Sequence, residues 1–212
     1  ILIENMVYNN FILRFLFSAF FISIYIIIAF LDFKYVFYLI ILIYFFIFIE
    51  IYLYFNFYKL IPLIYLLISF LFFISIEFSN KIFINFNLFI LTVISFDIFS
   101  YLIGKYFGKR KLIKVSPNKT YEGLLGGVAT SLLLSLFFSS IFKPNINISL
   151  IFFILLIILS AFIGDIIESF YKRKNNLKNS SEFIPGHGGV FDRFDSFLFS
   201  IIIFSLSINI YS

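Results

Sequence analysis

The run Leu150-Ile151-Phe152-Phe153-Ile154-Leu155-Leu156-Ile157-Ile158-Leu159 decides the fold class. A barrel strand facing lipid on one side and a lumen on the other alternates apolar with polar residues, whereas this run is apolar on every face. Within hydrocarbon a helix satisfies its own backbone N–H and C=O groups, so a helix is the structure left for it. The surrounding chain agrees. Its 212 residues are 62% hydrophobic and only 13% charged, with a mean hydropathy of +1.09, too few polar groups to cover a water-soluble surface. The expected architecture is therefore all-α, a polytopic integral membrane helix bundle.

At roughly 20 apolar residues per crossing, spans are expected at about 11–31, 35–55, 60–78, 82–103, 123–142, 149–171 and 191–211, about seven transmembrane helices. Asp32-Phe33-Lys34 is so short a break that the first two spans must form a tight hairpin. Of 16 Lys and Arg, 12 lie between Asp97 and Asp195, chiefly in two loops, 104–122 and 172–190, which places both loops in the cytoplasm. The N-terminus, with Arg14, is then inside and the C-terminus outside, in the plasma (inner) membrane. No internal repeat or linker divides the chain. It reads as one membrane domain, with apolar helices over 1–96 and the chemistry over 97–212; Glu50 and Glu77 in the first part look merely scattered.

The absence of cysteine excludes disulfides, thiolate metal sites and cysteine nucleophiles. The 36 Phe and 14 Tyr, with no Trp, resemble drift toward A/T-rich codons and are not taken as functional stripes. The chain opens on Ile1 rather than Met, leaving an upstream portion open, and no small-residue cleavage site follows the first apolar run.

The densest polar segment is Gly164-Asp165-Ile166-Ile167-Glu168-Ser169-Phe170-Tyr171-Lys172-Arg173. Asp165, Glu168, Ser169 and Lys172 stand at i, i+3, i+4 and i+7 and share a helix face. A carboxylate at a span centre costs about 2.5–3.5 kcal/mol, less near an end, so two on one face call for a cation. A neighbouring Lys or Arg would serve, as would a divalent metal on oxygen ligands. Next comes Pro185-Gly186-His187-Gly188-Gly189-Val190-Phe191-Asp192-Arg193-Phe194-Asp195-Ser196. Its three glycines could expose backbone N–H groups to phosphate, and Asp192 and Asp195 open a helix where the dipole favours acids. A glycine-rich turn with an Asp cap is the plainer alternative. In Ser116-Pro117-Asn118-Lys119-Thr120-Tyr121-Glu122-Gly123, capping of a helix and contact with phosphate or base are both open. Asp97, late in the fourth span, is an intramembrane acid that could pair with Lys105 or Lys109.

Acids, bases and glycines at one membrane face suit metal-assisted phosphoryl or nucleotidyl transfer between a lipid and a soluble substrate. An ion or proton transporter is the rival, but it predicts acids at the bilayer midplane on broken helices rather than at span ends.

The stretch from Ser169 to Asp195 resembles the signature of the phosphatidate cytidylyltransferase (CDP-diacylglycerol synthase) family. Ser116 to Gly123 is similar to that family's S-P-x-K-T-x-E-G element, and Asp97, Tyr101, Gly104 and Phe107-Gly108 resemble its acidic helix end; residues before 97 match only as apolar spans. The resemblance implies transfer of CMP from CTP to phosphatidate, giving CDP-diacylglycerol and pyrophosphate, with Mg²⁺ and a monovalent cation such as K⁺. It implies Asp165 and Asp192 as principal metal ligands with Asp195 and Glu168 near them. Lys172, Arg173 and Arg193 would neutralise phosphates beside His187. Ser116, Lys119, Thr120, Glu122, Ser169, Gly188 and Gly189 would contact substrates, with Asp97 and Lys178 at the margin. CTP, phosphatidate and membrane lipid are the implied partners, with no nucleic acid, and a homodimer enters by analogy. Two departures stand out: Asn179 occupies the family's usual Asp position after Lys178, and Tyr121 its usual Trp. A lipid kinase or a nucleotidyltransferase for another lipid phosphate remains the alternative within the class.

Overall fold

The computed structural model describes residues 22–29, 31–113, 116, 119–142, 147–181, 183 and 188–211. Helical backbone over 22–29 is followed by α1 (Lys34–Tyr54), α2 (Leu60–Ile74), α3 (Phe83–Phe107), α4 (Tyr121–Phe142), α5 (Ile148–Lys174) and α6 (Phe191–Tyr211). Among the described residues there is no strand, and Lys111 and Thr120 form an isolated antiparallel bridge. Helices α1, α3, α4 and α5 are long and apolar enough to cross a membrane. The 15 residues of α2 give about 22 Å at 1.5 Å each, and α6 carries Asp192, Arg193 and Asp195 in its first turns. This is a membrane helix bundle.

The boundaries follow local chemistry. Asp32 Oδ1 accepts the Lys34 N–H at 3.0 Å and so closes the short hairpin into α1. Pro62 sits in the first turn of α2, where a missing N–H loses no helical bond. That helix ends at Ile74, four residues sooner than expected, where Ser75 Oγ donates to the Phe72 carbonyl at 2.7 Å and contacts Ser205 Oγ at 2.8 Å. Helix α5 runs on to Lys174, with Lys172, Arg173 and Lys174 in its last turn, where cations suit the dipole.

Packing puts α3 against α4 and α5 against α6, the two most extensive contacts, while α6 also touches α1, α2 and α3. The α3–α4 contact is close because α4 turns Gly123, Gly127, Ser131, Ser135 and Ser139 inward, one every turn. A Cβ at Gly127 would stand 2.7 Å from Ser100 Cβ. Thr92 Oγ1 meets Ser135 Oγ at 2.8 Å across the same seam. Buried phenylalanines fill the opposite end from the acids: Phe78 and Phe86 lie 5.0 Å apart and Phe89 and Phe204 4.7 Å apart, centroid to centroid. That apolar plug leaves the polar residues gathered at the C-terminal ends of α3 and α5 and the N-terminal end of α6.

Candidate active site

The crossing of α5 and α6 brings three acids together. Gly164 has no side chain to hold α6 away, and a Cβ there would lie 2.6 Å from the Asp195 carbonyl and 3.2 Å from Ser196 Cα. The next residue, Asp165, and Glu168 one turn later therefore face Asp195, and these three carboxylates offer oxygens within 4.8 Å of one another. Asp97 joins from α3, accepting the Ser196 hydroxyl at 2.9 Å and lying within electrostatic reach of Asp165 and Lys119.

Two lysines interleave with these acids. Lys119 Nζ, arriving from the segment before α4, is 2.6 Å from Asp165 Oδ2. Lys172 Nζ is 2.6 Å from Glu168 Oε2, one turn back on α5, and 2.7 Å from Asp192 Oδ1. Glu168 is fully buried, and Lys172 and Asp192 are only 14% and 10% exposed. Asp192 Oδ2 is also occupied, accepting the N–H groups of Ser180 at 2.9 Å and Gly189 at 3.0 Å. Asp192 and Asp195 thus serve different neighbours. Asp195 faces the acid group, whereas Asp192 anchors the loop between α5 and α6.

The glycines of that loop have structural reasons. Gly188 takes φ +84°, a conformation that suits glycine, and a Cβ there would lie 2.6 Å from Asp192 Oδ2. A Cβ on Gly189 would run into Glu50 Oε1 and Ser180 Oγ. The Gly189 N–H, expected to face phosphate, is already bonded to Asp192.

On the other side of the site a hairpin delivers Lys119. The Tyr121 N–H donates to the Arg110 carbonyl at 3.0 Å, and the Leu112 N–H to the Lys119 carbonyl at 2.9 Å. Ser116 accepts the Lys119 N–H on its carbonyl at 3.1 Å. Glu122 Oε2 fastens the base by accepting the N–H groups of Lys109 and Arg110 at 3.0 and 3.2 Å. Thr120 Oγ1 accepts the Gly123 N–H at 3.1 Å, the N-cap bond of α4.

The structure therefore gathers Lys119, Asp165, Glu168, Lys172, Asp192, Asp195 and Asp97, with Ser169 Oγ 3.5 Å from Asp165 Oδ1 and Gly188 and Gly189 behind Asp192. Thr120 and Glu122 hold the hairpin instead of facing the acids. Arg173 is exposed and donates to the Leu177 carbonyl at 3.2 Å; Arg193 and Lys178 are exposed as well. His187 lies outside the described residues, as does the turn at Lys143-Pro144-Asn145.

Two residues of the N-terminal half join this region without having stood out in the sequence. Glu50 is fully buried on α1 and accepts the Phe191 N–H at 3.0 Å. The Tyr65 hydroxyl on α2 is buried without a hydrogen-bond partner among the described residues, and Asp195 and Glu168 are among its charged neighbours. Tyr65 is one of many tyrosines in apolar helices and carries no signal, whereas Glu50, a lone acid within an apolar span, carries the signal that marks Asp97 although it reads as scattered.

The acid group fits a hard divalent cation. Lys119 and Lys172 already pair with Asp165 and Glu168, and a divalent ion among the three oxygens would add a cation that Asp195 shares with them. Glu168 Oε1 is buried without a hydrogen-bond partner among the described residues, while Oε2 pairs with Lys172. An all-oxygen donor set suits Mg²⁺ or Ca²⁺ over softer metals. Helices α3 and α5 run unbroken past Asp97 and Asp165, unlike the broken helices of a transport path.

The model of the cytidylyltransferase family matches residues 4–211. Among curated proteins, the uncharacterized protein YnbB of Escherichia coli is 44% identical over 119 residues, 55% of this chain and 40% of its own length. The phosphatidate cytidylyltransferase of Staphylococcus haemolyticus is 45% identical over 106 residues, 49% of this chain and 40% of its own. That of Bacillus subtilis is 45% identical over 109 residues, 50% of this chain and 40% of its own. The alignments thus span less than half of each relative.

Proposed function

The chain belongs to the cytidylyltransferase family, and we propose that it transfers CMP from CTP to phosphatidate, giving CDP-diacylglycerol and pyrophosphate. The observation that carries this reading is the alternation Lys119, Asp165, Asp195, Glu168, Lys172, Asp192 at one end of a membrane bundle. Acids that can hold a metal stand beside lysines that can take phosphate, where a lipid headgroup and a soluble nucleotide can meet. The two named phosphatidate cytidylyltransferases at 45% identity support the choice of substrates.

In the proposed reaction a phosphate oxygen of phosphatidate attacks the α-phosphorus of CTP. The new P–O bond forms as the bond to the β-phosphate bridging oxygen breaks, and pyrophosphate leaves with the electron pair. Lys119 and Lys172 exchange a carboxylate partner for a phosphate oxygen and so neutralise charge as it moves to the leaving group. Asp192 holds Lys172 in place, and the hairpin holds Lys119. Mg²⁺ held by Asp165, Glu168 and Asp195 would neutralise triphosphate oxygens. A monovalent cation such as K⁺ is part of the proposal.

The bias of basic residues supports an active site toward the cytoplasm, and a plasma (inner) membrane location is part of the proposal. A homodimer is carried over by analogy and is tested by the mass of the detergent-solubilised particle.

The test is product identification. Purified protein in mixed micelles should convert phosphatidate and CTP to CDP-diacylglycerol, read by mass spectrometry. Equal conversion of a polyprenyl phosphate would move the assignment to another lipid, and transfer of a single phosphoryl group would make it a kinase.

A further inference from the structure

We propose that Glu50 is a positioning residue for this site: its carboxylate, delivered from the N-terminal half of the chain, holds the start of α6 and the Ser180–Gly189 contact so that Asp192 and Lys172 stand in register. Glu50 lies on the inward stripe of α1 with Val36, Ile40, Tyr44, Ile47 and Ile51 and is wholly shielded from solvent. Space filling alone would not select it there, because an apolar side chain fills the same volume without the cost of burying a carboxylate.

What the carboxylate gains is backbone. Oε2 accepts the Phe191 N–H at 3.0 Å, one of the donors that the first turn of a helix leaves without an intrahelical partner. Oε1 and Ser180 Oγ press on Gly189 so closely that a Cβ there would collide with both, and the Ser181 hydroxyl is a further polar neighbour. From the other side Asp192 Oδ2 accepts the N–H groups of Ser180 and Gly189. Two carboxylates from opposite parts of the chain therefore clamp Ser180, Gly189 and Phe191 between them. The second of them also holds Lys172 at 2.7 Å, and Lys172 pairs with Glu168. The end of α1 docks on the same region through Phe55 against Phe191, centroids 5.9 Å apart, and through the Phe57 N–H, which donates to Asn175 Oδ1 at 2.8 Å. Glu50 touches none of the three acids that face one another and acts only through the loop.

The kinetic part of the test rests on the cytidylyl-transfer reading, whereas amide exchange does not. Full-length Glu50→Ala in detergent should exchange the Gly189 and Phe191 amides at least about tenfold faster than wild type, with Leu112 and Tyr121 in the Lys119 hairpin unchanged. Its KM for CTP should rise about tenfold, with the KM for phosphatidate within about twofold, because the loop is disturbed and the membrane surface is not. Glu50→Gln keeps an oxygen for the Phe191 N–H and should restore most of both. Gly189→Ala, which forces the same contact apart from the loop side, should reproduce the exchange and KM changes and serves if Glu50→Ala does not fold. Wild-type exchange at Gly189 and Phe191 in these variants overturns the inference. So does equal impairment of the Ala and Gln variants with both KM values unmoved. A wild-type protein that turns over neither substrate refutes the activity reading instead, and exchange alone then judges Glu50.

Discussion

Gly164→Ala tests whether the α5–α6 crossing sets the active site. The added Cβ would lie 2.6 Å from the Asp195 carbonyl, 3.1 Å from Phe199 Cβ and 3.2 Å from Ser196 Cα. The nearest of these is backbone and cannot swing aside, so restoring ordinary contact at 3.4 Å moves α6 from α5 by about 0.8 Å. Overpacking of this kind costs about 1–3 kcal/mol. The displacement falls on Asp195 relative to Asp165 and Glu168, where an error near 1 Å costs about 10²-fold in rate. The expectation is a membrane protein that still elutes as a folded species, with a lower melting temperature and turnover reduced about 30- to 100-fold. Gly126→Ala is the control: its Cβ would press on Ile103 in the α3–α4 contact and not on the α5–α6 crossing, so it should cost stability while turnover stays within about threefold. Gly164→Ala with wild-type turnover and an unchanged Mg²⁺ requirement would show that the α5–α6 crossing does not set the active site.

Lys172→Met leaves Glu168, which is fully buried, without its ion pair; unfolding in detergent should show a loss of about 3 kcal/mol, and turnover should vanish. Thr120→Ala removes the N-cap bond of α4, so stability should fall by about 1 kcal/mol while both KM values stay within about threefold. A tenfold KM change at unaltered stability would instead make Thr120 a substrate contact. Asp195→Asn takes one carboxylate from the three that face one another, and the Mg²⁺ concentration for half-maximal turnover should rise at least about tenfold. Asp32→Asn, which changes the turn before α1 at the opposite end of the bundle, should leave that concentration unchanged.

Hydropathy made the helices legible, and the starts of α1, α2, α3 and α5 fall within one residue of those expected. The ends drift further. Helix α3 continues to Phe107 because Gly104, which reads as a breaker, is where Thr120 and Gly123 approach the helix, and a Cβ at Gly104 would meet Thr120 Oγ1 at 3.1 Å. The shared face of Asp165, Glu168 and Lys172 follows from helical spacing and could be read directly. Which distant groups meet could not. Lys119, before α4, reaches Asp165 on α5, and Asp192 and Asp195 serve different neighbours although i, i+3 spacing puts them on one face, because the oxygens of Asp192 are taken by Lys172 and by the N–H groups of Ser180 and Gly189. Glu50, a lone acid in an apolar span, carried the same signal as Asp97; its partner was not legible, because the Phe191 N–H it accepts lies on a helix 141 residues further on.

Pyrophosphate release from CTP by the purified protein in mixed micelles, with phosphatidate and Mg²⁺ each present or omitted, distinguishes cytidylyl transfer from the alternatives. Release is expected only when all three are together, matched one to one by CDP-diacylglycerol. Release without phosphatidate, or full release after metal chelation, would contradict metal-dependent transfer to phosphatidate.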